Sequence, residues 1–241
     1  MADPTDLPRR FYAEVTTGPL EEGPSQEGGA VLLDGRTPRS PGGKRLILPT
    51  AALAHLVAAE WAAQVEVIRL AEMPATRLAY TALEKIGPSH REVAAEVSRY
   101  ANSDVLCYWA EAPRELVRLQ GERWAPLLAW AQEELGLRFQ KAHGIVHQAQ
   151  PAETVKAVEA LAAELDDFAL AGLAHATPLY GSAILALALQ RGHLDGEAAF
   201  DLSRLDEAYQ EAQWGVDEEA AARTAKLRAE AVMLGRWFRA L

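Results

Sequence analysis

The chain has 241 residues, 49% of them apolar and only 7% aromatic, enough for one large domain or two small ones. Its net charge is -10, with most of the acid surplus after residue 86. Such a chain repels phosphate backbones and anionic bilayers, which argues against nucleic acid and membrane surfaces as partners.

Met1 to Arg10 is polar and proline-containing, without the apolar core of a signal peptide, so a cytoplasmic protein is expected. The first ten residues and Thr17 to Gly29, rich in Gly, Pro, Ser and Glu, predict a tail and a loop. Arg10 to Thr16, between them, predicts a strand. Val31 to Leu33 predicts a second, leading into Asp34-Gly35, a pair that favours the positive φ of a two-residue hairpin turn. Pro41-Gly42-Gly43 predicts another turn before Leu46 to Leu48, completing a short antiparallel meander. Thr50 is placed to cap a helix in which Leu53, Val57 and Trp61 recur every four residues. Val65 to Leu70 then reads as one more strand, and Ile86-Gly87-Pro88 ends this part.

Beyond that point the pattern is helical. Residues 89–102 predict a helix, and Val105 to Trp109 an extended segment. Cys107 is the only cysteine, which excludes an internal disulfide or a Cys-rich zinc site and reads as a buried small hydrophobe. Pro113 suits the first turn of the next helix, and Pro126 should kink or restart it. Arg138 to Val146 reads as extended. Val155, Val158, Leu161, Leu165 and Phe168 then form an apolar stripe. Residues 169–191 are almost wholly apolar, interrupted by Pro178 and Gly181, and predict a central buried helix. The longest apolar stretch, Ala183 to Leu189, is too short to cross a bilayer. Two acidic helices follow, one through Ala198 to Ala212 and one through Ala220 to Phe238. The expected class is α+β: a small antiparallel β-rich domain over residues 1–87, then a larger, mainly helical bundle over 88–241.

Catalytic signatures are missing. Gly43-Lys44 lacks the upstream glycine of a phosphate loop, and no nucleophile elbow or paired-histidine zinc motif occurs. Gly181-Ser182 reads as lying inside an apolar helix, where serine bonds back to a carbonyl. His143 and His147 would lie roughly 13 Å apart on a strand, too far to share a metal. Acidic pairs such as Asp166-Asp167 and Glu218-Glu219 read as solvated faces. A small-molecule hydrolase or transferase with an acidic cleft between the domains is the alternative these residues leave open.

Several short motifs in order resemble the assembly chaperones of the F-type ATP synthase alpha subunit. They are Arg10-Phe11-Tyr12, Leu33-Asp34-Gly35-Arg36, Leu48-Pro49-Thr50, Ala59-Glu60-Trp61 with Gln64, and Met73-Pro74. After residue 87 come Asp104 with Cys107-Tyr108, Gln120 with Trp124 and Pro126, and Gly181-Ser182. Leu205-Asp206-Glu207 with Gln210 and Trp214-Gly215 completes the set. The sequence departs from the family after the Asp-Gly-Arg turn, where Thr37 to Pro41 replaces a basic-Thr-Pro run. It also carries nothing like a mitochondrial targeting peptide, which points to a bacterial member.

The resemblance implies a non-catalytic chaperone, a monomer without cofactor or metal. It would bind the unassembled alpha subunit and shield its beta-facing surface until assembly. It assigns client contact to Glu207, with Asp206, Gln210 and Trp214 beside it. Asp34, Gly35, Glu60 and Trp61 are structural members of the motifs.

Overall fold

The meander near the N-terminus forms as β1 (Val15–Pro19), β2 (Gly29–Leu33) and β3 (Ile47–Leu48), antiparallel in that order. The computed structural model in which it is seen describes residues 7–19, 28–144 and 147–241. The expected tail before Leu7 and residues 20–27 of the expected loop lie outside the described residues. Thr17 and Gly29, expected in that loop, belong to β1 and β2. Asp34 and Gly35 make the hairpin turn with φ of 48° and 77°.

The first strand begins later than expected, because side chains take the backbone groups a ladder would use. The Arg10 guanidinium donates to the carbonyls of Tyr12, Ala13 and Gln64. The Asp34 carboxylate accepts from the amides of Ala13 and Glu14. Val65 to Leu70 is not a strand either. It pairs with the N-terminal segment through a single bridge, Arg9 to Val67. The buried Gln64 Oε1 then takes the Arg69 amide at 2.7 Å, and a 3-10 turn follows at Leu70–Glu72.

Thr50 caps α1 (Ala51–Ala62) by accepting from the Leu53 amide. A helix absent from the sequence reading, α2 (Pro74–Thr81), comes next and runs into a π turn at Ala82–Ile86. Its own cap residue, Met73, makes no side-chain bond. Glu60 serves instead, accepting from the Ala75 and Thr76 amides at 2.8 and 2.7 Å.

The later part is helical, as expected: α3 (His90–Ala101), α4 (Arg114–Arg123), α5 (Ala125–Leu135), α6 (Ala152–Ala163) and α7 (Asp167–Tyr180). Pro126 does restart a helix, at the first turn of α5. The two expected extended segments shrink to β4 (Tyr108–Trp109) and β5 (Ala142–His143), which pair in parallel. Val105–Cys107 is a 3-10 turn, because Asp104 caps it through the Leu106 amide. Residues 145 and 146 of the Arg138 to Val146 segment lie outside the described residues.

The expected central helix is two helices, α7 and α8 (Ala183–Gln190). They divide at Gly181, whose φ of 60° ends α7, while Ser182 caps α8 through the Leu185 amide. The first acidic helix likewise divides at Arg204 into α9 (Gly196–Ser203) and α10 (Leu205–Trp214), ahead of α11 (Glu218–Ala240).

One apolar cluster runs from Val31 and Leu53 beneath the sheet to Trp124, Phe200 and Trp237 among the helices. Helix α8 sits at its centre, with every residue from Ala183 to Leu189 buried. The far end of α11 returns to the N-terminal part, where the Thr50 hydroxyl donates to the Ala240 carbonyl.

Candidate functional site

Most of the motif residues hold the fold together. The Tyr12 hydroxyl donates to the Trp61 carbonyl at 2.8 Å, and the Trp61 ring is buried beside it. Burial pushes the Glu60 carboxyl above its usual range, against the two α2 amides that it accepts from. The fully buried Asp104 takes the Leu106 amide on one oxygen and the Ile184 amide on the other. Burial pushes its carboxyl up to about 6. Burial, with the Asp104 charge nearby, also pushes the Cys107 thiol up, so that residue is an inert core member.

The end of the chain differs. Helix α10 has no buried residue, although Leu205 and Tyr209 give it the stripe of a core helix. Its base is held by Asp206, which receives the Gln120 side-chain amide at 2.8 Å, and by an Arg204–Glu211 ion pair at 2.9 Å. Burial pushes the Asp206 carboxyl up. Glu207 and Gln210, within the same turns, face solvent. Trp214 closes the helix 87% exposed, and Val216, past Gly215, is 51% exposed. The first turns of α11 are exposed too, beginning with Asp217, Glu218 and Glu219. The stretch from Trp214 to Glu219 that joins the two helices thus presents a bare indole and three carboxylates to solvent.

A groove of about 750 Å³ lies between α4 and α5 on one side and α9 and α10 on the other. Leu119, Leu127, Leu194, Leu202, Leu205 and Tyr209 line it, and Glu122, Arg123 and Asp201 stand along it. Trp214 lies outside this lining, about half a turn of the α10 wheel from Leu205, so the trough and the exposed indole are two separate apolar features of the surface. The sequence pointed to Glu207, Asp206, Gln210 and Trp214 but missed the groove. Its lining comes from helices far apart in the chain, so no local spacing reports it.

The features of the enzymatic alternative do not assemble. The pocket where α2 meets α7 is lined by Pro74, Arg77, Ile86, Ala171 and His175, with no carboxylate among its lining. Ser182, expected inside a helix, is a cap with its oxygen occupied. His147 meets the Tyr108 hydroxyl at 2.8 Å. Among the described residues no group of three His, Cys, Asp or Glu side chains is arranged to hold a metal.

Comparison with known proteins bears on the same regions. A family model described as ATP12 chaperone protein matches residues 9–132. The chain is 29% identical over 226 residues to the protein atp12, mitochondrial, of Schizosaccharomyces pombe, covering 88% of this chain and 75% of that one. The crystal structure of Atp12 from Paracoccus denitrificans superposes with a TM-score of 0.86 at 42% identity, covering 96% of this chain and 97% of that one. The Atu1473 protein of Agrobacterium tumefaciens gives a TM-score of 0.87 at 40% identity, covering 97% and 86%.

Proposed function

Because the chain belongs to the ATP12 chaperone family, we propose that it assists ATP synthase assembly by binding the free alpha subunit and shielding that subunit's beta-facing surface. The family is named for chaperone activity and not for catalysis. The observation that carries the reading here is the exposed end of α10, where Trp214 stands 87% exposed, with an apolar groove along the opposite side of that helix. An unassembled subunit leaves interface surface open to aggregation, and a chaperone with a matching apolar patch covers it. In this reading Glu207, Gln210 and Trp214 touch the client, while Asp206 holds the helix that presents them.

The reading takes the chain as a monomeric chaperone of the bacterial cytoplasm that divides at residues 87–88. The sheet β1–β3 lies wholly before that point, and the Paracoccus structure is more similar than the fission-yeast relative. Among the described residues no helix is long and apolar enough to cross a membrane.

The test is co-expression with the alpha subunit of the same cell in the absence of beta, followed by addition of beta. A soluble complex that beta then dissolves supports the reading. Alpha that stays insoluble and unbound refutes it.

A further inference from the structure

The sheet has two unlike faces. Val31 and Leu33 point under α1 and are buried, whereas Leu32, next to them in β2, stays half-exposed on the other side. That outer side is the floor of a concavity of about 580 Å³, lined by Ala30, Leu32 and Ile47. Ala30 and Ile47 are cross-strand partners, so the apolar floor spans both strands.

Around the floor stand Arg36, Arg39 and Arg45, all exposed. The segment from Arg36 to Arg45 also contains Lys44 and no acidic residue. Among the described residues none of the three guanidiniums is in an ion pair. Arg39 gives one donor to the Gly43 carbonyl, and Arg45 reaches the Thr37 hydroxyl only at 3.5 Å. Glu84, the carboxylate that approaches this hairpin, is committed to the Gly42 amide at 2.6 Å. The segment from Arg36 to Arg45 thus carries four cations and no carboxylate in a protein of net charge -10.

We propose that the outer face of the β1–β2–β3 sheet is a second docking surface, built for a peptide segment that carries carboxylates beside apolar side chains. The guanidinium fork matches a carboxylate in two parallel hydrogen bonds. The apolar floor takes the neighbouring side chains. A nucleic acid is the poorer fit, because its backbone would meet the acidic remainder of the surface. The inference rests on the chaperone reading only in taking the peptide to be part of a client. It places that contact on a different element from α10 and its exposed end.

The probe is a fluorescein-labelled decapeptide of alternating glutamate and valine, with its binding followed by anisotropy. Comparison peptides put lysine in place of glutamate, or serine in place of valine. A short oligothymidylate serves as competitor. The glutamate–valine peptide should bind, weaken with added salt, and exceed both comparison peptides. Arg36→Glu with Arg45→Glu should lower its affinity about tenfold or more, a loss of about 1.4 kcal/mol, with an unchanged thermal midpoint. Arg36→Gln with Arg45→Gln serves if charge reversal disturbs folding, and should show the same direction. Equal binding by wild type and either double variant overturns the proposal, as does equal binding of the lysine peptide. Competition by oligothymidylate at concentrations equal to the peptide also overturns it, in favour of a polyphosphate. No client subunit enters this experiment, so its failure leaves the α10 reading standing, and failure of the co-expression test leaves this one standing.

Discussion

Gln120 and Asp206 lie 86 positions apart, and a 2.8 Å hydrogen bond from the Gln120 side-chain amide to the Asp206 carboxylate joins them. The carbonyl end of the buried Gln120 accepts from the Ala110 amide at 2.9 Å. One side chain thus ties the start of α10 to α4 and to the end of β4. Asp206 and Glu207 are neighbours in sequence, yet one faces the bundle and the other faces water.

Asp206→Ala should therefore destabilise the fold by about 1–3 kcal/mol, because it leaves the buried Gln120 amide without its acceptor. Asp206→Asn keeps an acceptor oxygen and removes a charge whose burial is unfavourable, so its loss should be smaller. Urea denaturation of the two variants beside wild type checks the ranking. If both lose equally, the bond is not what holds the helix.

Glu207→Lys and Trp214→Ala should leave the thermal midpoint within about 2 °C of wild type, since surface changes away from packed features cost little. Client retention should drop about tenfold or more for Trp214→Ala, as expected of an aromatic hot spot. Glu207→Lys should weaken retention and change its salt dependence. A pull-down of the alpha subunit with each variant measures both. Full retention by Trp214→Ala would remove the end of α10 from the client interface.

The Asp104 carboxyl, raised by burial from 3.8 to about 6, ties stability to pH. The folded state holds its proton more tightly than the unfolded chain does. This contribution to stability is therefore full below about pH 4 and is lost as pH rises through about 6. The size of the effect is on the order of 2–3 kcal/mol. Asp104→Ala should lose that slope relative to wild type, along with about 2–4 kcal/mol from the orphaned Leu106 and Ile184 amides. Denaturant midpoints at pH 4, 5, 6 and 7 (roughly spanning both pKa values) give the comparison. Parallel pH curves for the two proteins would contradict it.

Two glycine substitutions should act in opposite directions. A Cβ on Gly196, at the start of α9, would sit on the Ala231 carbonyl oxygen of α11, with the Val232 Cα 3.2 Å away. Backbone cannot swing aside as a side-chain end can, so Gly196→Ala should cost on the order of 3 kcal/mol. Gly121 lies in α4 with only a Trp109 ring carbon at 3.9 Å. Gly121→Ala should add about 0.5–1 kcal/mol of helix propensity. Thermal unfolding of the pair tests the sign as well as the size.

The sequence by itself determined what is set by a few adjacent residues. Asp34-Gly35 named its own turn, because few other pairs hold positive φ at both positions. Thr50 named the start of α1, because its oxygen reaches an amide three residues on. Alanine- and leucine-rich periodicity named the helical part, and the ordered motifs named the family. Local signals misled where the deciding partner was distant. Glu60 caps α2 from 15 and 16 positions before the amides it accepts from, so the cap lies outside the helix's own stretch of sequence, and Pro74 in the first turn does not by itself fix a helix. Val65 to Leu70 reads as a strand, but Gln64 claims the Arg69 amide and only one bridge forms.

Only the tertiary structure decided which apolar faces are covered. Helices α6 and α10 both carry apolar stripes; α6 buries Val158 and Ala162, and α10 buries no residue. A period of 3.6 residues reports that a helix has two faces. What lies against a face is fixed by elements from elsewhere in the chain, or by another protein, and Trp214 is left exposed because nothing in this chain's described residues reaches it.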